Sequence, residues 1–146
     1  MAYTKGKISI PNVTGNIVIT VVARQKAITN LADPSSAGWM ANHRITSGGS
    51  ITTGQSQVTN LIPVAVGDVI RIKGGGTSAT MIPATFLDAA STSGTPLGKD
   101  QRYDSTTDIA TFTITSAAHS QARWSIPNSQ IADVNAIIIT RNEEIS

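Results

Sequence analysis

Hydrophobic positions recur every second residue along much of this chain, the spacing that puts apolar side chains on one face of a β-strand. The clearest case is Val69 to Lys73, where Ile70 and Ile72 share one face and Arg71 and Lys73 the other. Pro63, which has no N–H to give to a ladder, predicts a strand start or edge before it, and Gly67-Asp68 predicts the turn between. Gly74-Gly75-Gly76 ends the strand. Phe112 and Ile114 alternate with Thr111, Thr113 and Thr115, and Ala122, Trp124 and Ile126 alternate with Arg123 and Ser125. Trp124 is thereby predicted to face the core. Pro127-Asn128 stops that strand.

Elsewhere the pattern changes. Lys5 to Ala23 reads as a hairpin, its second strand apolar on both faces at Ile17 to Val22, which therefore needs cover on both sides. Ile137 to Ile139 is also apolar on both faces. Asp33-Pro34-Ser35-Ser36 is a turn signal within a loop that interrupts the sheet, and Val58 to Ile62 and Met81 to Leu87 each suggest a strand. Ala89 to Asp108, rich in Ser, Thr, Gly and Asp, is predicted to be a long loop. Roughly eight short strands and no convincing helix argue for an all-β fold, an antiparallel, jelly-roll-like β-sandwich. Residues 1–25 form an N-terminal β-hairpin or attachment segment before a domain spanning 26–146.

Composition narrows the functional classes. The chain has 146 residues, the size of one domain, and no cysteine, which removes disulfides and thiolate chemistry. Only 14% of residues are charged and the net charge is +2, with the basic residues dispersed from Lys5 to Arg141. That dispersal argues against nucleic acid. No apolar run approaches the roughly 20 residues of a spanning helix, and the N-terminus lacks the apolar core of a secretory signal, so neither membrane nor export is expected. The sequon at Asn12-Val13-Thr14 then reads as a turn.

Several segments together resemble the carbohydrate-binding-like β-sandwich modules of tail, baseplate and fibre proteins from bacteriophages of Gram-positive hosts. They are NLAD at Asn30 to Asp33, WMANHRITSGGSI at Trp39 to Ile51, VTNLIPVAVGDVIRIKG at Val58 to Gly74, FTI at Phe112 to Ile114, and IIITRNEEI at Ile137 to Ile145. The resemblance covers about residues 28–146. It implies a virion surface protein without enzymatic activity that binds host cell-surface polysaccharide, assembles as a homo-oligomer, a trimer, and contacts other virion proteins. The alternative is a structural head or tail module without sugar binding, its two-faced strands buried against symmetry mates. Six aromatics in all is fewer than sugar-binding members of the family commonly offer.

A saccharide site needs a flat ring to stack on C–H faces and polar forks to read hydroxyls. Trp39, Asn42, His43 and Arg44 form the densest cluster of such side chains; in the plainer reading Trp39 plugs the sandwich and Arg44 pairs with Asp33 or Asp68. Arg71 and Arg123, both outward on strands, are placed to line one shared face beneath the long loop. Tyr103 is a contact candidate within that loop. The ligand-binding set is thus Trp39, Asn42, Arg44, Arg71 and Tyr103. Asp100, Asp104 and Asp108 recur every four residues but match no calcium-loop pattern, so no metal or other cofactor is expected. His43 and His119 sit in no catalytic motif, no nucleophile elbow or zinc-protease signature occurs, and the two glutamates, Glu143 and Glu144, fall at the end of the chain.

Overall fold

The computed structural model describes residues 14–16 and 27–145, so both strands of the predicted N-terminal hairpin, with Ile17 to Val22, and Asn12 of the sequon lie outside the described residues. The rest is an antiparallel β-sandwich. Sheet one contains β1 (Met40–Ile45), β2 (Ile51–Val58), β3 (Ile62–Pro63), β5 (Ile82–Thr85), β6 (Thr95–Pro96) and β9 (Gln121–Pro127). Sheet two is ordered β10-β4-β8-β7, from β4 (Val69–Lys73), β7 (Gly98–Asp104), β8 (Ile109–Ser116) and β10 (Ile138–Arg141). The chain crosses from one sheet to the other between β3 and β4 and again after β4, β6, β8 and β9. Helical structure among the described residues is limited to three single 3₁₀ turns.

Alternation accounts for the main core. Ile70, Ile72, Phe112, Trp124 and Ile126 are fully buried between the sheets, as their phases predicted. The Phe112 and Trp124 rings, one from each sheet, meet at 5.9 Å and 58°, a tilted aromatic contact across the sandwich. Ile137 and Ile139 are buried in the same cluster, so the chain itself covers the inward face of this two-faced strand, while Ile138 on the opposite face is half-buried. The outer edge of β10 is capped too. Leu31 N–H donates to the Ile139 carbonyl (2.8 Å), while the Asn30 side chain accepts from Ile139 N–H (2.9 Å) and donates to the Ile137 carbonyl (3.1 Å). One amide side chain thus stands in for a peptide unit of a neighbouring strand.

Sheet one curls back on itself. Asn42, at φ 57°, sits where the β1–β2 register shifts, and the hairpin tip is tied to the segment before β6 by Ile51 N–H to the Thr92 carbonyl (2.7 Å) and Gly94 N–H to the Gly49 carbonyl (3.1 Å). The approach needs glycine at both positions: a Cβ on Gly94 would lie 2.5 Å from the Thr85 carbonyl oxygen, and one on Gly49 would lie 2.6 Å from that of Gly94. Inside the curl lies a second apolar cluster of Ile45, Val58, Ala84 and Phe86. Sheet one therefore buries both of its faces.

The stretch from Ala89 to Asp108 corrects the predicted loop. It contains β6 and β7 joined by Leu97, with only short turns left over. β7 forms the edge of sheet two, and neither of its faces is deeply buried, so both carry polar residues and no alternation marks it in the sequence. Charged side chains on such an edge discourage pairing with another chain.

Candidate functional site

The outer face of sheet two is the open face of the sandwich, and its centre is set by outward positions on three neighbouring strands. Register places Arg71 of β4 opposite Thr111 of β8, and Thr111 opposite Arg102 of β7. The C-terminal tail adds a wall. After β10, Asn142 takes φ 57° and turns the chain so that Glu144 and Ile145 lie beside Arg71. Arg71 donates to the Glu144 carboxylate at 2.6 Å and to the Glu143 carbonyl at 3.1 Å, and the Thr140 hydroxyl donates to the same carbonyl at 2.7 Å. The result is a concavity of about 340 Å³ lined by Arg71, Arg102, Tyr103, Asp104, Thr107, Ile109, Thr111, Glu144 and Ile145. A second hollow, lined by Asp100, Gln101, Arg102, Thr111 and Thr113, continues it along β7 and β8.

The tail is held by Asp68. This carboxylate, 8% exposed, accepts from Ala65 N–H (2.8 Å), Arg141 Nε (2.7 Å) and Asn142 Nδ2 (2.8 Å). Burial pushes its pKa up, but the bonds from Asn142, Ala65 and Arg141, together with the Arg141 charge, outweigh burial and hold it below the usual carboxylate value. At the other wall, Asp104 accepts from Thr106 N–H at 2.9 Å, and chiefly this bond lowers its pKa, leaving an oriented, ionised acceptor at the rim. The Tyr103 hydroxyl donates to Asp108 at 2.8 Å, a bond that raises the phenol pKa, and its ring packs against the main core.

The chain matches no family model, no curated protein and no solved structure.

Of the five predicted ligand residues, the structure brings two together, Arg71 and Tyr103. Tyr103 is an element of β7 rather than of a mobile loop, and its ring is engaged with the core instead of lying flat on the surface. Trp39, Asn42 and Arg44 belong to the β1 end of sheet one, away from this concavity. The half-buried Trp39 packs against the main core and donates through Nε1 to Gln57 at 2.9 Å, the plugging arrangement rather than a stacking platform. Asn42 and Arg44 are exposed, and the Arg44 stem crosses Gly54, where a Cβ would meet it at 2.6 Å. Neither acid suggested for Arg44 pairs with it: Asp68 holds Arg141, and Asp33 accepts from Ser35.

Arg123 requires the larger correction. Its phase is outward, as predicted, but on sheet one, and that face is covered; the side chain is fully buried and shares no surface with Arg71. It donates to the carbonyls of Gly38, Thr59 (2.9 Å) and Ala89 (3.4 Å), with no carboxylate partner among the described residues, and burial lowers its pKa. Arg102, Asp104, Thr111 and Glu144 are the polar and charged lining residues absent from the predicted set that matter most to the site, and Thr107, Ile109 and Ile145 were missed with them. The i, i+2 spacing of Arg102 and Asp104 was an available signal, hidden by the absence of any apolar alternation around it. Asp100, Asp104 and Asp108 do not converge, since Asp108 faces Tyr103, and among the described residues no cluster of three His, Asp or Glu side chains is placed to hold a metal.

Proposed function

We propose that this protein is a non-enzymatic virion surface module that binds host cell-surface saccharide on the outer face of sheet two. One observation carries the reading: an open concavity whose lining sets donors against acceptors, Arg71 and Arg102 against Asp104, Glu144 and the threonine hydroxyls. Vicinal sugar hydroxyls are each donor and acceptor, and such an array reads them in pairs. Half-buried Ile109 supplies apolar surface for C–H faces in place of an aromatic platform. The phage setting and the trimer rest on the resemblance noted above. In that setting weak single sites become strong through copies held on one particle.

The test is binding of the purified, folded protein to Gram-positive cells and to their extracted wall polysaccharide, with Arg102→Ala and Asp104→Ala compared with Asn42→Ala and Arg44→Ala. Saturable binding lost in the first pair alone supports the site proposed. Loss in the second pair alone moves the site to β1, and no binding by an intact oligomer supports an assembly role.

A further inference from the structure

We infer that the groove on sheet two selects neutral, hydroxyl-rich glycans and rejects anionic polymers such as uronates or polyol phosphates. The inference rests on the saccharide-binding reading and adds the ligand's charge to it. Two cations, Arg71 and Arg102, face three anions, Asp100, Asp104 and Glu144, across the two continuous hollows. Lys73, outward on β4 beyond the lining, raises the cations only to parity.

The cations are also unequal to the task. The Arg71 side chain is 13% exposed, and its guanidinium is already committed to Glu144 and to the Glu143 carbonyl. An incoming carboxylate or phosphate would have to displace Glu144 or sit beside it, and either costs the like-charge repulsion that penalises a mismatched partner. Asp104, held ionised at the opposite rim, adds to that repulsion. A neutral polyol meets no such penalty. Its hydroxyls donate to Asp104 and Glu144 and accept from Arg102, while Thr111, 7% exposed in the floor, offers a hydroxyl that serves either way. The tail carboxylate thus acts as a built-in filter against charge.

The test uses the full chain on immobilised neutral glycans (a glucan, a mannan, a galactan) and on anionic ones (hyaluronate, a glycerol-phosphate polymer), each at low and high salt. The expected result is retention on at least one neutral glycan that is insensitive to salt, with anionic polymers bound at least about tenfold more weakly. Thr111→Val should weaken neutral binding in a protein that remains folded. Combining Glu144→Gln with Asp104→Asn should raise anionic binding about tenfold, in a salt-sensitive way, an outcome that loss of structure alone does not produce. Preferential or equal binding of the anionic polymers by the unaltered protein would overturn the charge filter while leaving saccharide recognition standing. Failure to bind any glycan would overturn both.

Discussion

The two outer faces of this sandwich begin from the same kind of strand and end as opposites. On sheet two the outward positions Arg71, Arg102 and Thr111 meet an open groove, and on sheet one the outward positions Val58, Ala84 and Arg123 meet a second apolar core. The difference is made by what the chain does after the strand. The β1–β2 hairpin curls over its own sheet and is fastened at Thr92–Gly94, whereas the C-terminal tail only walls one side of its sheet. Two arginines at equivalent phases thereby acquire different roles: Arg123 ties three loop carbonyls together inside the fold, and Arg71 orients a carboxylate at the surface.

Replacing Phe86 by Ala should break the covered face most severely. The side chain is fully buried in the small cluster, and its loss should cost about 3–5 kcal/mol, read as a lower denaturation midpoint. Arg123→Ala should follow at about 3 kcal/mol, because the Gly38, Thr59 and Ala89 carbonyls lose their donor and a cavity is left. Arg123→Met, which fills the space without the charge, should cost less, and calorimetry of the pair separates volume from hydrogen bonding. If both variants unfold alike at the wild-type temperature, the outward face of sheet one is not the closed core described.

Asp68 tests the connection between the open face and its wall. Asp68→Ala should cost about 1–3 kcal/mol by leaving the Ala65 N–H, Arg141 and Asn142 without their acceptor. Because its folded-state pKa is depressed, the unfolded chain binds more protons over the interval between the folded and unfolded values. Its stabilisation is complete above the unfolded value, near ordinary carboxylate pKa, and is lost as pH falls through the folded one. Denaturation midpoints measured down the acid limb should therefore fall less steeply in Asp68→Asn than in the unaltered protein. The smallest stability effect belongs to Glu144→Gln. That carboxylate is 71% exposed, so despite its 2.6 Å bond to Arg71 the change should fall within about 1 kcal/mol while altering ligand selectivity. A large loss of stability there would make the tail a structural clamp rather than a rim of the site.

Much of the framework was legible in the sequence, and the reason is local. A strand with one face in a core must alternate, so β4, β8 and β9, the burial of Trp124 and the Gly67-Asp68 turn could be read directly from residue order. The scarcity of helix formers, the wealth of β-branched residues and the glycine stops settled an all-β class for the same reason. Tertiary structure alone decided the rest. Alternation states which way a side chain points and says nothing of what lies above that face; hence Arg123 and Arg71 looked equivalent until the hairpin was seen to cover one sheet. An edge strand with neither face deeply buried has no pattern to read, which hid β7, and with it the true surroundings of Tyr103 and the contribution of Asp104. The groove itself depends on Glu144 meeting Arg71 across 73 residues of chain, a contact fixed by the register of β10 against β4 and by the grip of Asp68 on Arg141 and Asn142.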